Sequence, residues 1–127
     1  MAHAQGSSGI VNAINAGVRS IEHGIFLDDE CIELMLAHDI WLVPTLVAPH
    51  AVLEATARGE VHEPAVVAKA QSVIETHSIA VEKAIAAGVK IALGTDAGIS
   101  KHGENLRELD LLVQCGMSTL AAWEAAT

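Results

Sequence analysis

The feature that most constrains the fold of this chain is a regular alternation of short aliphatic segments with longer amphipathic ones. The short segments predict four β-strands, and the longer ones, with apolar residues three and four positions apart, predict the helices between them. A glycine joins helix to strand at Ala16-Gly17-Val18 and again at Ala87-Gly88-Val89, as expected where a helix ends on a left-handed residue. This β-α-β-α-β-α-β-α order is typical of a parallel sheet with right-handed crossovers.

The amino-acid composition supports a sheet that is covered on both faces. Only three of the 127 residues are aromatic, namely Phe26, Trp41 and Trp123, so the core must consist of Ala, Val, Ile and Leu. Purely aliphatic strands suit a parallel sheet with helices on either side. The four strands are expected near residues 1–4, 18–22, 40–43 and 89–93.

Two α/β architectures have this pattern, the (β/α)8 TIM barrel and the open doubly wound sheet. A complete barrel needs roughly 250 residues, so four strand–helix units correspond to half of one. The chain starts within a predicted strand and stops within a predicted helix. We therefore expect an α/β fold that is part of a TIM barrel, with residues 1–127 forming a single segment of a larger domain.

The segment between the third and fourth strands is the longest connection. Two prolines and a glycine interrupt its first part, and this pattern predicts a loop excursion from Thr45 to about Pro64. A long amphipathic helix is predicted to follow, over residues 65–87. His77 lies on the apolar face of that helix, where a packed core histidine is a more common finding than a metal ligand.

Charge and hydropathy exclude several classes of partner. Seven basic and sixteen acidic residues give a net charge of −9, which disfavours nucleic acid and anionic membranes. No apolar run reaches the roughly 18 to 20 residues that a membrane-spanning helix needs, and the first residues do not resemble a signal peptide. Cys31 and Cys115 lie far apart in the sequence and are expected to be reduced, buried thiols of a cytoplasmic protein.

Polar side chains follow each predicted strand at the point where the strand ends. His3 ends the first strand, His23 the second, Thr45 follows the third and Asp96 follows the fourth. Because the carboxyl ends of parallel strands meet at one edge of the sheet, these residues are expected to share a site. Two imidazoles and a carboxylate are suitable ligands for Zn2+ or a similar divalent ion.

These residues lie in motifs that resemble a known family. The motifs are Ala2-His3-Ala4-Gln5-Gly6, Ser20-Ile21-Glu22-His23-Gly24 and Gly94-Thr95-Asp96-Ala97-Gly98, supported by Val43-Pro44-Thr45-Leu46 and by residues 102–109. In this order and spacing they resemble the second half of the catalytic barrel of the amidohydrolase superfamily. The resemblance is closest to the imidazolonepropionase-related and Xaa-Pro-dipeptidase-like branch, and it covers essentially the whole chain.

The resemblance implies a role for each of these residues. His3 and His23 would be metal ligands on barrel strands five and six, and Asp96, after strand eight, would be both a metal ligand and the catalytic proton shuttle. The reaction would be hydrolysis of a C–N bond in a small amide, peptide or cyclic amide. His102 and Thr45 are candidates for substrate binding, although His102 could instead order its loop and Thr45 could instead satisfy the chain after Pro44.

Members of this family also use ligands that this sequence does not contain. The 127 residues include no His-x-His pair, and no lysine falls on a strand in the order expected for a carboxylated ligand. We therefore expect an incomplete metal site and little or no hydrolysis by these residues alone. Glu22 alternates with His23 along the strand, so it should point towards the helices and make a structural contact.

Two other functions fit the same strand–helix order. Unpaired strands at the two edges of a half-barrel would favour a homo-oligomer or a complementing amino-terminal half.

A non-catalytic α/β binding module is the other alternative. Gln5-Gly6-Ser7-Ser8-Gly9 is the segment that most nearly resembles a phosphate loop, but it does not match the Gly-x-Gly-x-x-Gly or P-loop pattern.

Overall fold

The computed structural model describes residues 1–59, 63–98 and 102–127. Four parallel strands form one sheet in the order β1-β2-β3-β4, so the predicted parallel α/β architecture is confirmed. The strands are β1 (Ala2–Gly6), β2 (Ser20–Phe26), β3 (Trp41–Val43) and β4 (Lys90–Ile91). Because consecutive strands are neighbours and run the same way, their carboxyl ends lie along a single edge.

Helices connect the strands and follow the last one. The connecting helices are α1 (Ser7–Asn15), α2 (Asp29–Ala37), α3 (Val47–Ala57) and α4 (Pro64–Ala87), and α5 (Arg107–Gln114) and α6 (Thr119–Glu124) come after β4. Gly17 and Gly88 have the left-handed backbone expected of residues that end a helix, with φ of 83° and 88°. Asp28 caps α2, because its side chain accepts a hydrogen bond of 3.0 Å from the Cys31 amide. In the part of the chain that the structure describes, no helix has the length and apolar character needed to cross a membrane.

The core is aliphatic, as the composition predicts. Ile21 of β2 and Leu42 of β3 are register partners and are both fully buried, and burial of each such side chain contributes about 1.5–3 kcal/mol. Cys31 and Cys115 are buried and unpaired. Burial raises the pKa of each thiol to about 11, so both are protonated and unreactive at neutral pH.

The second strand extends beyond its predicted end. It continues to Phe26, and its register with β1 shifts at a bulge, because Ala4 pairs with His23 whereas Gly6 pairs with Phe26. His23 and Gly24 both have positive φ, of 73° and 63°, and this backbone produces the irregularity. The alternation of side chains is therefore interrupted at His23, which the sequence pattern does not reveal.

Two other predicted strand boundaries differ from the structure. The first strand runs from Ala2 to Gly6 instead of ending near residue 4, so His3 is its second residue and does not end it. The last strand is only Lys90–Ile91, shorter than 89–93. Its hydrogen-bonded contact with β3 nevertheless continues, because the Ala92 amide donates to the Leu42 carbonyl at 2.9 Å.

The predicted loop between Thr45 and Pro64 is wrong for most of its length, because α3 occupies Val47–Ala57. Pro49 is the third residue of this helix, where a backbone amide has no partner within the helix and proline is tolerated. Residues 60–62 of the predicted excursion lie outside the described residues. The prolines therefore mark the first turns of two helices, since Pro64 is the first residue of α4.

A carboxylate from α5 caps α3. Glu108 is completely buried, and its two oxygens accept hydrogen bonds of 2.8 Å each from the amides of Leu46 and Val47. An Arg107–Glu54 ion pair joins the same two helices. These contacts satisfy amides at the start of α3 that would otherwise be unpaired in the protein interior.

Burial also sets the protonation of this cap. Desolvation raises the pKa of Glu108 to about 7, and the two amide donors lower it only in part. A group whose pKa is higher in the folded than in the unfolded chain stabilises the fold fully below the unfolded pKa, here 4.5. That contribution is lost as the pH rises through about 7.

We predict that Glu108→Gln changes how stability depends on pH. Between pH 4.5 and 7, the wild type should lose about 3 kcal/mol of unfolding free energy relative to the variant, since glutamine has no charge to bury. Urea denaturation at several pH values measures this difference, and Glu104→Gln, at an exposed position of the same segment, is the control. Parallel pH profiles for wild type and Glu108→Gln would contradict the buried-charge account.

Candidate functional site

The carboxyl ends of the four strands meet at one cavity of about 280 Å³. His3 from β1, His23 from β2, Thr45 after β3 and Asp96 after β4 all line it. The parallel order of the strands brings these residues together although they span more than ninety positions of the sequence. The structure thus places four of the five predicted site residues around one space.

The two histidines lie side by side. Their ring centroids are 4.5 Å apart and the rings meet edge to face at 72°. Burial and the neighbouring His3 imidazole lower the pKa of His23, against opposite effects from Asp96 and Glu22. His23 is therefore neutral at neutral pH, which is the protonation state that a metal ligand requires.

Thr45 fixes the orientation of the His23 ring. Its Oγ1 lies 2.7 Å from Nδ1 of His23, and both residues are buried. The hydrogen bond occupies one ring nitrogen and leaves Nε2 free to make a different contact. A contact of this kind sets both the tautomer and the direction of a ligating histidine.

Three of the cavity residues have a left-handed backbone. The φ values of His23, Thr45 and Asp96 are 73°, 55° and 51°, and among the described residues only Asp39 shares this conformation without being glycine. Each such position costs roughly 1–2 kcal/mol, and a β-branched residue such as Thr45 adopts it rarely. Strained backbone of this kind clusters at functional sites.

The backbone at Gly94, after the end of β4, lies close to side chains at the end of β3 and just beyond it. A Cβ added at Gly94 would collide with Cγ1 of Val43 and would lie 3.8 Å from Cγ2 of Thr45. Only glycine allows this approach. It positions the segment that carries Asp96 beside the segment that carries Thr45.

Helices α3 and α4 supply an apolar wall to the cavity. The wall residues share small or aliphatic side chains and include Ala48, Pro49, Val52, Ala70 and Val73. With the polar groups at the strand ends, they form a concave space that has one apolar side and one side with titratable groups. This combination is typical of a small-molecule site.

His77 is a cavity residue whose contact the sequence did not reveal. It is buried as a core histidine, which confirms the predicted packing, but its Nε2 also lies 2.8 Å from the carbonyl oxygen of His23. Burial lowers the pKa of His77 to about 4. A polar residue on the apolar face of a long helix was the signal that could have indicated this contact.

Other polar residues lie away from the cavity. His102 is exposed and does not line it, so its contact with substrate stays a prediction. Glu22 accepts a hydrogen bond of 2.7 Å from the Ser20 hydroxyl, which is a structural contact of the kind expected.

The donor set at the cavity fits a divalent metal in its chemistry. His3 and His23 offer imidazole nitrogens and Asp96 offers a carboxylate, the ligand types that Zn2+ binds. Across residues 1–59, 63–98 and 102–127, however, no three such side chains converge closely enough to form a complete metal site. The site therefore has suitable ligands on one wall without a closed coordination shell.

Comparison with known proteins identifies the family. The model of the amidohydrolase family matches residues 1–127. The chain belongs to the amidohydrolase family. Members of this family are generally metal-dependent hydrolases, in agreement with the donor set at the cavity.

Similar amidohydrolases include proteins of known structure. Ochratoxinase from Aspergillus niger is 40% identical over 127 residues, which cover 99% of this chain and 26% of the relative. A Xaa-Pro dipeptidase crystallised with methionine in its active site is 42% identical, with a TM-score of 0.84 over 98% of this chain and 31% of the other. A prolidase in complex with N-methylphosphonate-L-proline is 33% identical, with a TM-score of 0.85 over 100% of this chain and 31% of the other. The chain thus spans about a quarter to a third of these amidohydrolases.

The packing at Gly94 gives a prediction for stability. Gly94→Ala should reduce the unfolding free energy by about 1–3 kcal/mol, because its methyl group would overpack against Val43. Adding Val43→Ala should recover part of this loss, so that the two changes are not additive. Urea denaturation of the single and double variants measures the coupling.

Gly9→Ala is the matched control for this prediction. A Cβ at Gly9 meets no atom within 4 Å, and the residue lies inside α1, so alanine should be neutral or stabilise by about 0.5–1 kcal/mol. If Gly94→Ala behaved like Gly9→Ala, close packing between β3 and β4 would not be required.

Proposed function

We propose that this chain contributes to metal-dependent hydrolysis of a C–N bond in a small amide, peptide or cyclic amide. The observation that carries the proposal is the cavity lined by His3 of β1, His23 of β2 and Asp96 after β4 in an amidohydrolase chain. The relatives named ochratoxinase, Xaa-Pro dipeptidase and prolidase support a small-molecule substrate. The net charge of −9 argues against nucleic acid as a partner.

Zn2+ is the metal that we propose for this site, with His3, His23 and Asp96 as its ligands from this chain. When bound, such an ion polarises the substrate carbonyl and lowers the pKa of water. Ligation through Nε2 of His23 requires a lone pair there, and His23 keeps it when Nδ1 carries the proton and donates it to Oγ1 of Thr45, 2.7 Å away. The role of Thr45 is thus to orient His23, and direct contact with substrate is not needed to explain it.

Asp96 is proposed to move the proton in this reaction. Its side chain is exposed and faces the cavity, where a carboxylate can take a proton from the attacking water. The same carboxyl group can then deliver that proton to the nitrogen that leaves. The apolar wall from α3 and α4 would hold the substrate and exclude bulk water on that side.

The four strand–helix units are proposed to correspond to strands five to eight of the amidohydrolase barrel. The chain spans about a quarter to a third of its relatives, and it contains no His-x-His pair. Further ligands are then needed from outside these residues, and the 127 residues alone should show little or no turnover. Buried, protonated thiols agree with the proposed cytoplasmic location.

A second proposal concerns assembly. In the described part of the chain, β1 and β4 are the outer strands of the sheet, and each pairs with a single neighbour. Unpaired strand edges favour association with another chain. A second copy of this chain, or the other half of a barrel, would cover these edges.

Native mass spectrometry of the 127-residue chain with added zinc tests metal binding and assembly together. We expect about one zinc per chain, bound by His3, His23 and Asp96, the three protein ligands typical of a catalytic site. Because these side chains, all among the described residues, line one cavity without converging, they must move closer together to bind zinc. His23→Ala should lower the zinc affinity by more than about 100-fold. Loss of a residue that only supports a metal ligand lowers affinity by about 10–100-fold, and loss of the ligand itself should have a larger effect.

The matched control is His38→Ala, because His38 is an exposed histidine at the end of α2. Zinc that binds equally well to His23→Ala, or that is lost equally from His38→Ala, would contradict the proposed site. Sustained zinc-dependent hydrolysis of dipeptides by this chain would contradict the need for further ligands. A strictly monomeric species at high concentration would contradict self-assembly.

A further inference from the structure

The contact between His77 and the backbone of His23 has a defined donor. A carbonyl oxygen can only accept a hydrogen bond, so Nε2 of His77 must carry the proton in the 2.8 Å contact with His23. Nδ1 of His77 is buried and has no hydrogen-bond partner among the described residues. Among the described residues, the ring of His77 thus makes one hydrogen bond, from Nε2 to the carbonyl of His23, and His23 is a proposed metal ligand.

The residue that receives this hydrogen bond has an unfavourable backbone. His23 has φ of 73° and is followed by Gly24, which also has positive φ. The pair forms the bulge at which the register between β1 and β2 shifts. A non-glycine residue keeps such a conformation only where surrounding contacts hold it.

Two contacts act on His23 from opposite elements. Thr45, after β3, bonds to the imidazole ring at Nδ1. His77, on α4, bonds to the main-chain carbonyl. One contact orients the ring and the other holds the peptide that carries it.

We propose that His77 is a positioning residue that holds the left-handed backbone of His23, and thereby keeps the His23 imidazole against His3 and the cavity. This inference rests on the proposed function, in which His23 binds the metal. His77 itself needs no contact with metal or substrate. Its position 54 residues from His23 places the support on α4, the same helix that forms part of the apolar wall.

NMR of the metal-free, isotope-labelled chain tests this role directly. In the wild type, the ring nitrogens of His77 should show the tautomer protonated at Nε2, and the 13C shifts of His23 should be those of a left-handed residue. His77→Leu keeps an apolar volume without a donor, so the His23 shifts should move towards those of ordinary extended backbone. His77→Gln places an amide donor near the position of Nε2 and should restore the wild-type shifts.

His50→Leu is the matched control. His50 is a partly buried histidine on α3 that does not line this cavity, so the same substitution there should leave His23 unchanged. Zinc affinity is the second measurement. We expect His77→Leu to lower it by about 10–100-fold, the range for loss of a supporting contact, and His77→Gln to recover most of it.

Two results would overturn the role of His77. One is a wild-type His77 ring protonated at Nδ1, and the other is an unchanged His23 backbone in His77→Leu. If His77→Leu does not fold, the wild-type tautomer and the comparison of His77→Gln with wild type still decide the question. The proposed function fails separately, through zinc binding that survives His23→Ala.

Discussion

Left-handed backbone at three cavity residues is the constraint on which the site depends. His23, at the bulge within β2, and Thr45 and Asp96, which follow β3 and β4, all have this conformation, and all three line a shared cavity. The cost is roughly 1–2 kcal/mol at each position. A small domain has only about 5–15 kcal/mol of net stability, so the surrounding structure must hold all three positions firmly.

Contacts from distant parts of the chain provide that support. Glu108 binds the two amides that follow Thr45, and Thr45 in turn bonds to His23. His77 bonds to the His23 carbonyl from α4. Residues of α4 and α5 therefore support the cavity residues through a few buried hydrogen bonds. Such buried contacts are costly to break, because each leaves an unsatisfied polar group.

Much of the arrangement could be predicted from the sequence. Alternation of strands and helices fixed the parallel order, and that order alone predicts that His3, His23, Thr45 and Asp96 share one edge. What could not be predicted depends on contacts between distant residues. The sequence pattern does not predict α3, because Glu108, which caps this helix, lies more than sixty residues away. It does not predict the bulge at His23 either, because the alternation of side chains along β2 gives no sign of a shift in register.

We propose that His3, His23 and Asp96 bind one metal ion at the carboxyl edge of the sheet. Crystals of the chain soaked in zinc, with diffraction data collected on both sides of the zinc absorption edge, test it most directly. We predict an anomalous peak within ligand distance of all three side chains, at about 2.0–2.2 Å from nitrogen and oxygen. Zinc bound only at other histidines, such as His38 or His50, would contradict the claim.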